Sequence, residues 1–208
     1  ENDKKLTTSV LKSKSNNKIT NKFSLENKEN SIEDNYYLYE INPDEITLEY
    51  LKELPDLAEF INTKRGSKTL QNFISSLNKV DINELFNMII PIYLKVCVNQ
   101  YGNFFMTKFI DLMNYKLRKK LWKLTKLNLL DICSNEFGNH CVQALIENLN
   151  SEDEEIYINN ILCPYYIVLA LNKFGTFVLQ KILLKFSFEN RSAIHRFTID
   201  NFITLVTN

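Results

Sequence analysis

Four glycines punctuate the whole sequence, Gly66, Gly102, Gly138 and Gly175, and they stand 36, 36 and 37 residues apart. A fixed period of that size restricts the chain to a stack of similar units, because one such unit cannot bury its own apolar face. The surroundings repeat with the glycines. Asn99, Asn135 and Asn172 lie three residues before the last three, and Tyr101, Phe137 and Phe174 immediately precede the same three. Apolar residues follow Gly138 at three, four, seven, eight and eleven positions: Cys141, Val142, Leu145, Ile146 and Leu149. The same places hold Phe105, Met106, Phe109, Ile110 and Met113 behind Gly102, and Val178, Leu179, Ile182, Leu183 and Phe186 behind Gly175. The first repeat has Leu70, Phe73, Ile74 and Leu77, with Thr69 in the remaining place. This is the spacing of one buried helical stripe, drawn four times.

The unit follows from local chemistry. Asn at minus three suits the cap of the helix that begins there, offering a side-chain acceptor to the free N–H groups of the first turn. The glycine lets something approach the helix backbone closely, at about 1 kcal/mol relative to Ala. A second amphipathic stretch precedes each repeat helix. The clearest, residues 83–98, carries Leu85, Phe86, Ile89, Ile90, Tyr93, Leu94 and Cys97, and Pro91 divides it, which makes the unit three helices rather than two. No alternating β-branched segment is bounded by a two-residue glycine turn, so the class is all-α.

Composition sets two zones and several exclusions. Residues 1–35 are dominated by Asn, Lys, Ser, Glu and Thr, with Phe23 their only aromatic. Such a stretch cannot bury enough apolar surface to offset its ordering entropy and is expected to be a disordered polar tail. Residues 36–208 are expected to form the repeat domain, with repeat helices beginning near 63, 99, 135 and 172 and a truncated fifth repeat from about 188. A fifth glycine would fall just past Asn208, so the chain reads as a piece of a longer array that leaves Phe202, Ile203 and Val206 without a partner helix. No run of 18 apolar residues exists, and the first residues lack the apolar core of a secretory signal. Cys97, Cys133, Cys141 and Cys163 show no CxxC spacing and are expected to be buried reduced thiols, with no zinc site, disulfide or cofactor. Cys97 and Cys133 share one slot, five residues before their glycines, which fits a small packing position. Twenty-five basic residues balance 25 acidic ones, so bulk charge does not point to nucleic acid. The run Lys116, Arg118, Lys119, Lys120, Lys123 and Lys126 is expected to be a solvated face, with a phosphate or protein contact as the alternative.

Three positions after each glycine stand outside the stripe. The first and fifth are polar: Ser67 and Gln71, Asn103 and Thr107, Asn139 and Gln143, Thr176 and Gln180. Four residues apart, they share one helix face. The second position holds Lys68, Phe104, His140 and Phe177, a flat or cationic group beside each polar pair. Core packing would explain an aromatic here, but not Lys68 or His140 in the same slot. Stacking on such groups, together with hydrogen bonds to base edges, is how unstacked RNA bases are recognised.

The segments NQYGNFFMTKFIDL, NEFGNHCVQALIENL and NKFGTFVLQKILLKF resemble the RNA-reading helices of Pumilio (PUF) repeats, and RGSKTLQNFI resembles that family's first repeat. The period differs from the roughly 34, 33 and 40–47 residues of tetratricopeptide, ankyrin and HEAT repeats. The resemblance covers residues 36–208 and implies a right-handed α-solenoid of about 36-residue three-helix repeats, binding single-stranded RNA with one base per repeat. It implies base-edge reading by the four polar pairs and stacking by Lys68, Phe104, His140 and Phe177. By the family's usual rule, Ser67 with Gln71 and Thr176 with Gln180 imply adenine, and Asn139 with Gln143 implies uracil. Asn103 with Thr107 departs from the pattern, since Thr lacks an amide, and implies a repeat that tolerates several bases. With the RNA antiparallel to the protein, the element is A-U-(U or any)-A.

The function implied is control of messenger RNA translation or stability through 3′ untranslated regions, by a cytoplasmic monomer working with protein effectors and not embedded in a membrane. Two alternatives share the fold: a nucleolar ribosome-assembly relative that binds structured RNA with little base preference, and a scaffold that binds protein. An enzyme reading has no anchor, because the chain holds no nucleophile–base set and its other histidine, His195, lies on a different repeat from His140.

Overall fold

The computed structural model describes residues 45–201, with 203 and 207. They lie in the second of the chain's two units, Ile41–Asn208; the first, Glu1–Glu40, is outside the described residues, as are the tail reading for 1–35 and the surface expected around Phe202 and Val206. Among the described residues there are helices and turns and no strand. An opening helix α1 (Leu48–Glu53) precedes four units of three. These are α2 (Leu57–Ile61), α3 (Lys64–Phe73) and α4 (Lys79–Ile89); then α5 (Tyr93–Cys97), α6 (Gly102–Leu112) and α7 (Tyr115–Leu127). The third unit is α8 (Leu129–Cys133), α9 (Gly138–Glu147) and α10 (Glu152–Leu162), and the fourth is α11 (Tyr166–Ala170), α12 (Gly175–Lys185) and α13 (Phe188–Asp200).

Proline makes two of the breaks that divide a long helix into outer and short halves. Pro91 sits in the 3-10 turn Ile90–Ile92 between α4 and α5, and Pro164 in the turn Cys163–Tyr165 between α10 and α11. Neither can donate the next helical hydrogen bond. Between α7 and α8 no proline is present, and Asn128, at φ −128° and ψ 28°, makes the break instead. Its N–H closes on Thr125 O while its carbonyl opens α8 by accepting from Ile132 N.

The asparagines do what their position suggests. Oδ1 of Asn99 accepts from Tyr101 N and Gly102 N at 2.7 and 2.9 Å, and Asn135 and Asn172 repeat the pattern on Phe137 and Gly138 and on Phe174 and Gly175. In the first unit Thr63 Oγ1 takes the N–H of Gly66. Regular helix therefore begins at the glycine in the last three units, one turn after the capping Asn, and at Lys64 in the first. What approaches each glycine is the chain's own preceding helix. A Cβ on Gly138 or Gly175 would stand 2.7 Å from the carbonyl oxygen six residues back, Ile132 O or Leu169 O, and Gly66 and Gly102 face Phe60 O and Val96 O in the same way.

Helices α3, α6, α9 and α12 pack successively against one another in one row. Their stripes form the core. Phe105, Met106, Phe109 and Ile110 are fully buried, as are Cys141, Val142, Leu145 and Ile146, each large apolar side chain contributing about 1.5–3 kcal/mol. Leu179 and Leu183 of α12 are only half-buried. Polar ties cross between units, Lys95 to Asp56 at 3.1 Å and Lys181 to Glu147 at 2.8 Å, and within the second unit the buried hydroxyls of Tyr93 and Thr125 meet at 2.8 Å.

Two expectations need correction. Arg118 is not part of a solvated basic face: its guanidinium is buried, donates to Met113 O and lies 3.7 Å from the buried carboxylate of Glu154. Helical phase explains this, since Arg118 falls on the side of α7 that carries Leu117, Leu121, Trp122 and Thr125 inward. Cys163 is exposed, because it opens the surface turn around Pro164, whereas Cys97, Cys133 and Cys141 are buried. Burial pushes the Cys133 thiol up to about 12 and the Cys97 thiol well above its ordinary value, which makes both inert packing groups.

Candidate nucleic-acid interface

The row of α3, α6, α9 and α12 carries every residue singled out beside the stripe. All four second-position side chains are exposed: Lys68, Phe104, His140 and Phe177. Phe104 is 58% and Phe177 43% accessible, so neither is a core aromatic. A Phe left in water at a helix position whose neighbours are buried offers a flat face to an incoming ring.

The polar pairs are built more specifically than their spacing indicated. Asn139 is 1% exposed, and its Nδ2 donates both hydrogens to backbone carbonyls, Asn135 O at 2.9 Å and Glu136 O at 2.8 Å. Its Oδ1 accepts from Gln143 Nε2 at 2.8 Å. The buried amide therefore holds its partner, and the groups left free to meet a ligand are Oε1 and the second N–H of Gln143. Ser67 does the same in the first unit. Its hydroxyl, also buried, donates to Tyr101 O of the next unit at 2.7 Å and accepts from Gln71 Nε2 at 3.1 Å. In both units a buried side chain thus holds the glutamine by its Nε2.

The second unit lacks this device. Asn103 is buried and clamped by Asn99 O and Gln100 O just as Asn139 is clamped. Thr107, however, offers no amide to its Oδ1, and the Thr107 hydroxyl is buried without a partner. In the fourth unit Thr176 Oγ1 turns back to Lys173 O at 2.9 Å, and Gln180 is exposed. Sequence reading missed the backbone carbonyls of Gln100, Tyr101 and Glu136 as anchors. The pairs Asn99–Asn103 and Asn135–Asn139, four apart across the glycine, were the visible signal for the two clamps.

An all-helical stack of three-helix units, with one polar and stacking-competent row, defines an α-solenoid repeat protein. The Pumilio-family RNA binding repeat matches residues 128–162 and 165–194, the third unit and most of the fourth. A Pumilio domain-containing protein of Schizosaccharomyces pombe is 26% identical over 135 residues, 65% of this chain and 20% of that protein. Among solved structures, the Puf4 RNA binding domain bound to the HO endonuclease RNA 3′ UTR recognition sequence matches with a TM-score of 0.67 at 22% identity, over 73% of this chain and 47% of that one. PUF-8 in complex with PBE-RNA gives 0.70 at 14% identity, over 76% and 48%. The chain thus spans about half the length of these solved domains and a fifth of the fission yeast relative.

Proposed function

We propose that the chain binds single-stranded RNA, each unit taking one base between the side chains at the second position and reading its edge with the amide at the fifth. The observation that carries this is the held glutamine. Gln143 and Gln71 are each oriented by a buried neighbour, beside an exposed His140 or Lys68. A surface amide with no ligand has no need of an orienting partner that is itself buried and fully hydrogen-bonded. Preorganised donors and acceptors next to a stacking group suit an unstacked base, and the RNA-bound solenoids similar to this chain favour RNA as the ligand.

The element read is A-U-(U or any)-A, with the open position at the second unit, where Thr107 gives Asn103 no amide to hold. As a reader of messenger 3′ untranslated regions, the protein acts in the cytoplasm on translation or stability, as a monomer that recruits protein effectors. Selection from randomised single-stranded RNA by filter binding tests the reading. Enrichment of that element is expected, and recovery of RNA with no common base pattern contradicts it. His140→Ala is expected to weaken binding to all sequences alike, by about 1–3 kcal/mol, since stacking is sequence-tolerant.

A further inference from the structure

Helix α7 carries a feature that base reading does not use. Its sequence, YKLRKKLWKLTKL, contains no acidic residue. Leu117, Arg118, Leu121, Trp122 and Thr125 take the buried side, and Lys116, Lys119, Lys120, Lys123 and Lys126 are all exposed. At 3.6 residues per turn these five share the opposite face, along about 15 Å of axis. The protein as a whole has no net charge, so this face is a local concentration of one sign.

The described residues do not neutralise it. Lys52, Lys95 and Lys181 each sit on a carboxylate, of Glu84, Asp56 and Glu147. Among the described residues, none of the ion pairs involves the five lysines of α7; Lys119 lies against the Tyr115 hydroxyl and ring instead. Two acidic groups of a neighbouring helix are otherwise engaged. The Arg118–Glu154 pair sets α10 beside α7, and α10 opens with Glu152, Asp153, Glu154 and Glu155. Glu154 serves Arg118 and the Asn150 N–H, and Glu155 serves Ser187 and Asn190. Like charges three and four residues apart on one helix repel and weaken it. A face that keeps this repulsion without relief from the described residues is matched to an external polyanion.

The residue types select among polyanions. Protein interfaces are anchored by aromatic or apolar side chains at their centre. Between Lys116 and Lys126 the fully exposed positions of α7 are all lysines, with half-buried Leu124 beside them and Tyr115 and Leu127 at the ends. Lysine acts as a compact point charge, suited to phosphate without directional pairing. We propose that this face is a second RNA contact that grips backbone phosphates without regard to sequence, separate from the row of α3, α6, α9 and α12. The proposal rests on the RNA-binding reading above, and it extends the protein's footprint to structured RNA or to strands flanking the read element.

The test compares the whole chain with the triple variant Lys116→Gln, Lys120→Gln, Lys123→Gln, using a blunt RNA duplex as the probe. A duplex presents no unstacked base, so the assay is independent of base reading. Three lost phosphate contacts are expected to lower duplex affinity about 10–100-fold near ~0.1 M salt and to flatten the dependence of log K on log salt by about 2. The corresponding Lys→Arg triple, which keeps the charges, retains duplex binding. A short single strand carrying the read element is bound equally by all three proteins. Unchanged duplex binding by the Gln variant overturns the proposal, and so does wild-type binding of polyglutamate as tight as that of the duplex, which assigns the face to an acidic protein. Failure of base reading would appear in the randomised selection and leave this assay unaffected.

Discussion

Gly138→Ala sets two effects of opposite sign against each other. Ala is favoured over Gly inside a helix by about 1 kcal/mol, and Gly138 opens α9, so propensity alone makes the variant more stable. The structure reverses this. The new methyl would stand 2.7 Å from Ile132 O, 3.2 Å from Ile132 Cγ2 and 3.3 Å from Ile132 Cα, where ordinary contacts begin at 3.4 Å. The nearest atom is a backbone carbonyl at the end of α8, held by the turn that Asn135 caps, so relief requires moving one helix against another. Forcing an extra methyl group into a packed site costs about 1–3 kcal/mol, and with the propensity gain of about 1 kcal/mol deducted the net loss is about 0–2 kcal/mol. Gly175→Ala, with Leu169 O at the same 2.7 Å, is expected to match it, and Gly66→Ala, closer still to Phe60 O, to lose more. Urea denaturation followed by far-ultraviolet circular dichroism measures each value. A gain in stability of about 1 kcal/mol for Gly138→Ala, the full propensity term, would refute the account of why the glycines recur.

The remaining predictions concern the interior and the thiols. Glu154→Ala leaves the Arg118 guanidinium buried and uncompensated and is expected to cost about 3–5 kcal/mol in the same denaturation assay, whereas Arg118→Met combined with Glu154→Leu should be close to neutral. Iodoacetamide at pH 8 should label Cys163 in the folded chain and reach Cys97, Cys133 and Cys141 only on unfolding, as peptide mapping would show.

The fold was legible because its signal is repeated: glycine, stripe and cap recur in phase, so each copy checks the others. The exposed second position was legible for the same reason, since Lys68 and His140 ruled out a core slot that Phe104 and Phe177 alone would have permitted. Arg118 was misread because a run of basic letters hides helical phase, and one residue in six faced inward towards a carboxylate 36 positions away. Cys163 was misread because its apolar neighbours in sequence do not surround it in a turn shaped by Pro164. The division of labour within the pairs was not accessible at all. That Asn139 holds Gln143 depends on two backbone carbonyls, and side-chain spacing carries no information about where a carbonyl points.

The central claim is that a buried side chain sets what its glutamine presents to a base. Asn139→Ser replaces the Asn–Gln pair by the Ser–Gln pair of the first unit, where Ser67 holds Gln71 through a hydroxyl anchored on Tyr101 O. In the third unit the corresponding anchor is Phe174 O, one residue before the next glycine. The decisive measurement is a binding titration of wild type and Asn139→Ser against two RNAs that differ only in uracil or adenine at the third unit's base. The account predicts a loss of about 1–3 kcal/mol on the uracil RNA together with a gain on the adenine RNA. Equal losses on both RNAs would contradict it.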